Sequence, residues 1–287
     1  MSKSMLLLIL LPLCFAFALG QTSQMKAGQP PKYLQIIVEE VRAGKMAAHN
    51  HLEAEWTDAL KKAGIKGHYL GASSLAGQSE ALWLLLHDGL GEVEELREQE
   101  ATNSALRSVV ERYSGQDSDY ITGYSTMLAR RRDDLSYRPD FNFGEYRFFA
   151  IHTFHSKLAH ARDAMEVLKI FNTAREKSGS EIHIVVYEVM SGAAEGTFLS
   201  IVPRKSLAEM EQGDQRMQQA VGEDGWRRVR ELADTGGFTL DNTLFAFEPS
   251  YSNASDEIAA ADPNFWHTVK REKNVSNPPK TPKSKQR

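Results

Sequence analysis

A chain of 287 residues with 41% hydrophobic and 25% charged positions can bury two ordinary cores, which excludes a fibrous or wholly disordered protein. The formal net charge of −4 is unevenly spread, because Lys270–Arg287 carries seven Lys or Arg against Glu272 alone. The acidic body that remains excludes nucleic acid as a partner, since phosphate contacts need clustered Lys and Arg.

In chain order, the first predicted element is an export signal over residues 1–20. Lys3 supplies its positive end, Met5–Leu19 its apolar stretch, and Ala18-Leu19-Gly20 a small-residue cut site before Gln21. The stretch is too short to span a bilayer comfortably, so cleavage leaves no membrane span and a secreted or periplasmic protein. Cys14 is the only cysteine and departs with the signal, which removes disulfides and thiol chemistry. Residues 21–32 read as a linker ending in Pro30-Pro31. Tyr33–Val41 then alternates as a strand, with Leu34, Ile36 and Val38 on one face and Gln35, Ile37 and Glu39 on the other. Lys45–Ala63 changes to helical period through Met46, Leu52, Trp56 and Leu60, and Gly64 stops it. Strands near Gly67–Ser73 and Glu80–His87, a helix over Leu90–Tyr113 and a strand over Thr122–Arg130 complete a first unit, residues 33–135.

After a linker at 136–145 the same order returns over residues 146–250. Arg147–Phe154 is a strand, Ser156–Lys177 a helix, Glu181–Met190 and Thr197–Val202 strands, Ser206–Ala233 a broken helical region and Asn242–Glu248 a final strand. Segments match across the halves at near-constant offsets: Tyr33–Glu39 over Tyr146–His152 at 113, Glu80–Leu86 over Glu195–Ile201 at 115, and Ser125–Ala129 over Asn242–Ala246 at 117. Residues 251–287, with NPPKTPKSKQR at the end, read as an extended basic tail without a fold of its own.

The fold class is therefore α+β: two ferredoxin-like βαββαβ repeats in one chain. The open face of each four-stranded sheet needs a cover, and packing the two sheets against each other supplies it. This order and duplication resembles the dimeric α/β-barrel superfamily in tandem form, and the opening Ala43-Gly44-Lys45 before a long first helix resembles its NIPSNAP-like members. The superfamily includes cofactor-independent monooxygenases and haem-binding enzymes, and a shared fold does not transfer a reaction.

With the fully apolar faces placed under the helices, the mixed faces line a cavity between the halves. That expectation puts Glu39, Trp83, His87, His152 and Phe198 inside, with His68 and His183 at equivalent positions on the second strands; these seven are the candidate ligand contacts. Glu39 beside His152 would orient an imidazole and raise its basicity. The first helix carries two further pairs at i,i+4, His49 with Glu53 and His51 with Glu55. Two ligands do not close a metal site, so these read as helix-surface pairs, and no metal and no cofactor is expected. His155 and His160 lie in no haem pattern, and no nucleophile elbow or phosphate-cradling glycine motif occurs. The functional expectation is an exported monomer or homodimer that binds a small, partly apolar molecule between its repeats. The alternatives are a cofactor-independent monooxygenase-like enzyme and a structural protein with a filled cavity.

Overall fold

The computed structural model describes residues 29–212 and 214–267. The export signal at 1–20 and the basic run Lys270–Arg287 lie outside the described residues.

The first half runs β1 (Tyr33–Val41), α1 (Met46–Lys62), β2 (Tyr69–Ala76), β3 (Glu80–His87), α2 (Leu90–Thr102), α3 (Ser104–Asp117) and β4 (Ile121–Arg131). The second runs β5 (Phe148–Ser156), α4 (Ala161–Lys177), β6 (Val185–Ser191), β7 (Thr197–Arg204), α5 (Glu209–Gln212), α6 (Asp214–Asp234) and β8 (Phe238–Phe247). The single helix expected over 90–113 is two. Asn103 takes extended backbone angles and its side-chain oxygen accepts from the amides of Ala105 and Leu106, so it ends α2 and caps α3.

The eight strands close into one antiparallel barrel in the order β1-β3-β2-β8-β5-β7-β6-β4, with β4 returning to β1. The halves meet along their sheet edges, β2 on β8 and β4 on β6. Closure removes every free edge, and an eight-stranded barrel has an interior just wide enough for side chains to fill. Leu34, Ile36, Leu84, Phe149, Tyr187 and Phe245 fill it together with their neighbours, all buried in one cluster drawn from both halves.

That packing inverts the expected faces. The uniformly apolar faces of β1 and β3 point into the barrel, and the mixed faces carrying Glu39 and Trp83 point outward to the helices. The reason is that a closed, side-chain-filled interior offers polar groups no partner, whereas the helix side can supply one.

Residues 251–267 also differ from the tail expected there. A 3-10 turn at Pro249–Tyr251, α7 (Asp256–Ala261) and α8 (Pro263–Trp266) fold back onto the body. Asn253 exchanges backbone hydrogen bonds with Tyr69, and its side chain donates to the Gly67 carbonyl at 2.7 Å. The Tyr251 ring lies where a Cβ at position 71 would stand, 2.2 Å away, so only Gly71 admits it. Trp266 donates from its indole to the Gly144 carbonyl at 2.9 Å and joins the barrel cluster. Tyr251, Ala254, Ile258, Ala259, Phe265 and Trp266 pack against the body and dock the segment; its basic character begins only at Lys270.

Candidate functional site

The site grows from one turn of α1. His49 and Glu53 are four residues apart and so share a face, and that face turns inward rather than to solvent. Glu39 meets them from the outer face of β1, and Asp117 from the last turn of α3. All four are buried, with exposures of 5% or less. One donor atom from each lies within 4.8 Å of the others. His49 Nε2 is 3.0 Å from Glu39 Oε2 and 3.4 Å from Asp117 Oδ1, while Nδ1 is 3.4 Å from Asn50 Oδ1. Glu53 Oε1 and Asp117 Oδ1 are buried without a hydrogen-bond partner.

Three carboxyls around one imidazole cannot all ionise cheaply out of water. Burial, aided by the charges of Glu39 and Asp117, pushes the Glu53 carboxyl up to about 9. Burial and the Glu39 charge, opposed by His49, push Asp117 up to about 6. For His49, burial acts downward, but the hydrogen bond to Glu39 and the Asp117 charge outweigh it and the net direction is up. At neutral pH the cluster therefore holds Glu53 neutral.

A cavity of about 820 Å³ opens directly over this cluster, between the outer sheet face of the first half and α1, α2 and α3. Glu39, Glu53 and Asp117 form its polar floor, and Ile37, Trp83 and Leu60 are among its apolar walls. The volume is in the range of small-molecule sites, and an apolar wall with a few convergent polar groups is their usual composition. Trp56 stacks on Tyr113 at 5.9 Å, and its indole Nε1 is buried without a partner on the cavity wall. Trp83 touches the His49 ring edge at 6.0 Å and Tyr251 at 5.7 Å, fixing the back of the cluster.

Of the seven residues singled out by sequence, the structure brings Glu39 and Trp83 into this cavity. His87 ends β3 on the same face, buried, with Nδ1 3.8 Å from Glu92; burial holds its imidazole below the ordinary value. His152 and Phe198 belong to the second half. Phe198 packs in the core beneath α4, and His152 is kept below the ordinary imidazole value by burial and by the Arg175 and Arg204 charges. The expected Glu39–His152 pair is thus not formed: Glu39 faces Ala81 and Tyr124 across the sheet, His152 faces Ser200 and Asn242. His68 is exposed, 3.3 Å from the Asn253 carbonyl, and His183 holds the Arg138 carbonyl at 2.6 Å beside Phe141 and Tyr146, so both tie the ends of their strands to loops.

His49, Glu53 and Asp117 were not among the seven. The i,i+4 spacing of His49 and Glu53 was visible, but a surface pair has the same spacing. His51 and Glu55, one face round, show that surface form: both are exposed, 3.7 Å apart. Asp117 is sixty-four residues from Glu53 and no local pattern links them.

No family model matches the sequence, and no curated protein matches it. Among solved structures the chain is similar to an anthrone oxidase-like protein, with 12% identity, a TM-score of 0.48, and coverage of 76% of this chain and 92% of that one. A proposed monooxygenase from Fusobacterium nucleatum gives 10% identity, a TM-score of 0.46, and 75% and 91% coverage. A chlorite dismutase variant from Candidatus Nitrospira defluvii gives 9% identity, a TM-score of 0.46, and 82% and 97% coverage. At these values the likeness carries nothing about chemistry, and the barrel rests on the strand pairing given above.

Proposed function

We propose that the protein binds a small, partly apolar molecule in the first-half cavity, with the polar end of the ligand against Glu39, Glu53 and Asp117. The observation that carries this reading is the cavity of about 820 Å³ whose floor is a buried ionisable cluster with unpartnered oxygens. The seam between the halves is a weaker place for a ligand, because its interior is filled by large buried side chains. The reading includes tandem descent within the dimeric α/β-barrel superfamily, supported by the two βαββαβ runs. Kinship with NIPSNAP-like proteins is motivated by Ala43-Gly44-Lys45 alone. Export is part of the same proposal, motivated by Lys3, Met5–Leu19 and the small residues before Gln21.

Native mass spectrometry of the protein purified from its own source tests the binding. An organic mass retained by the wild type and lost from Ile37→Trp, which fills the cavity, is the expected result. The same mass retained by that variant overturns the reading.

A second reading, a monooxygenase-like enzyme that removes a proton from an electron-rich substrate, is favoured by one contact: the Glu39 carboxyl on the cavity lining, which can accept a proton, is oriented by the His49 imidazole at 3.0 Å. Oxygen uptake with quinols by chelator-treated protein, lost in His49→Gln, would support it. Absence of uptake would remove it.

A further inference from the structure

We propose that Glu39, His49, Glu53 and Asp117 hold one divalent first-row transition ion such as Mn²⁺, Fe²⁺ or Zn²⁺. The proposal deepens the cavity reading, since the ion would stand at the cavity floor where a ligand's polar end arrives, but the ion can bind with the cavity empty.

Four independent features converge on it. The first is spacing. His49 Nε2 lies 3.0 Å from Glu39 Oε2 and 3.4 Å from Asp117 Oδ1. Donors bound at about 2.1 Å are separated by about 3.0 Å at adjacent octahedral corners and about 3.4 Å at tetrahedral ones. The 4.8 Å limit on the whole set is wider than the roughly 4.2 Å between opposite octahedral corners by about half an ångström.

The second is unmet demand. Glu53, a residue only 3% exposed, has its Oε1 without a hydrogen-bond partner and one carboxylate oxygen within the set; Asp117 Oδ1, in a residue 2% exposed, also has no hydrogen-bond partner and only the 3.4 Å ion-pair contact to His49. Buried polar atoms in folded proteins are rarely left so, and a cation satisfies both at once. The third is orientation. Asn50 stands at Nδ1 of His49, so it can accept that N–H and leave Nε2 turned to the carboxylates. A bare imidazole lone pair facing carboxylate oxygens is repulsive; Nε2 must carry either a proton or a metal there.

The fourth comes from the other half of the chain. α1 and α4 are both 17 residues long and begin at an offset of 115. Glu39, His49 and Glu53 then correspond to Phe154, Ala164 and Leu168, and Leu232 stands on the last turn of α6 as Asp117 stands on that of α3. The strand registers agree, since Glu39 pairs with Ala81 and Phe154 with Phe198. Phe154, Ala164, Leu168 and Leu232 are one buried apolar cluster. The fold therefore needs no polar group at this address, and four ionisable groups there require another cause. The donor set, one nitrogen and three carboxylate oxygens, is mixed enough to favour transition ions over Mg²⁺ or Ca²⁺, which take oxygen alone.

The test uses the protein with its metals stripped by chelator and Mn²⁺ as the probe, followed by electron paramagnetic resonance and calorimetric titration. One Mn²⁺ per chain at micromolar or tighter affinity, weakened at least tenfold by Glu53→Gln and by Asp117→Asn in variants whose circular dichroism is unchanged, is the expected result. Zn²⁺ should displace the Mn²⁺, and a hundredfold excess of Mg²⁺ should not. No binding, or binding indifferent to both substitutions, overturns the proposal. Ile37→Trp separates the two readings: it should keep its Mn²⁺ while losing any organic ligand. Metal uptake by a wild type that retains no organic mass leaves the ion and removes the cavity ligand; an organic mass retained without metal uptake does the reverse.

Discussion

The same structural address in the two halves is built from opposite materials. Beneath α4, Phe154, Ala164, Leu168 and Leu232 form a dry core; beneath α1, Glu39, His49, Glu53 and Asp117 are equally buried, three carboxyls crowded around one imidazole. β1 and β5, α1 and α4, and β3 and β7 match in order and length, so at Glu39, His49 and Glu53 the difference lies in side chains, whereas α3 and α6 differ in length as well. The apolar version is what stability asks for. The ionisable version costs stability, because taking charges from water is repaid only in part by contacts among them. A protein that folds one address both ways displays its own control, and the costly half is where function belongs.

Transferring one group in each direction should break the comparison if it is wrong. Leu168→Glu places an unpaired carboxyl in the apolar half and should lower stability by about 3–5 kcal/mol, read from urea midpoints at pH 7. A loss under 1 kcal/mol would show that the second-half core is not the strict apolar site described. The reverse exchange, Glu53→Leu, should be neutral or raise stability by about 1–3 kcal/mol while abolishing whatever the site binds. Strong destabilisation by Glu53→Leu would mean that the cluster is a structural network instead.

The pH dependence sharpens the same point, and its sign is fixed. Glu53 ionises near 4.5 when unfolded and at about 9 when folded, so its contribution to stability is lost as pH rises from 4.5 towards 9. Asp117 acts in the same direction between 3.8 and about 6. His49 also has a raised folded value, so its contribution is full below the unfolded 6.5 and is lost as pH climbs through the raised folded value. Metal-free wild type should accordingly lose stability from pH 6 to pH 8.5, and Glu53→Gln should lose less. Parallel urea-midpoint profiles for the two proteins would count against a buried, protonated Glu53.

The smallest effect is expected one face round the same helix. His51→Ala removes an exposed partner of Glu55 at the same i,i+4 spacing as His49 and Glu53 and should change stability by no more than about 0.5 kcal/mol. Thermal midpoints of His51→Ala and His49→Ala, measured together, would show whether burial separates two pairs that spacing makes equal.

Element order was legible in the residues because hydrophobic period is local. Tyr33–Val41 alternates, Lys45–Ala63 repeats at threes and fours, and Gly64 or Pro30-Pro31 punctuates them. The halves could be matched for the same reason, although the offset of 113 read for the first strands is 115 in the structure, and 115 for the third strands is 117. Those two-residue slips kept the parity of each strand and misassigned its partner: Glu39 answers to Phe154, not to His152. Which face of a strand enters the barrel was not legible, since alternation marks two faces without saying which is inside. That decision belonged to closure, where eight strands must fill one interior with their apolar faces and Glu39 and His87 are turned toward the helices. The Glu39, His49, Glu53 and Asp117 cluster was decided at the same level, because three segments meet there only after β1, α1 and α3 have packed, and no spacing within the chain encodes a distance across space.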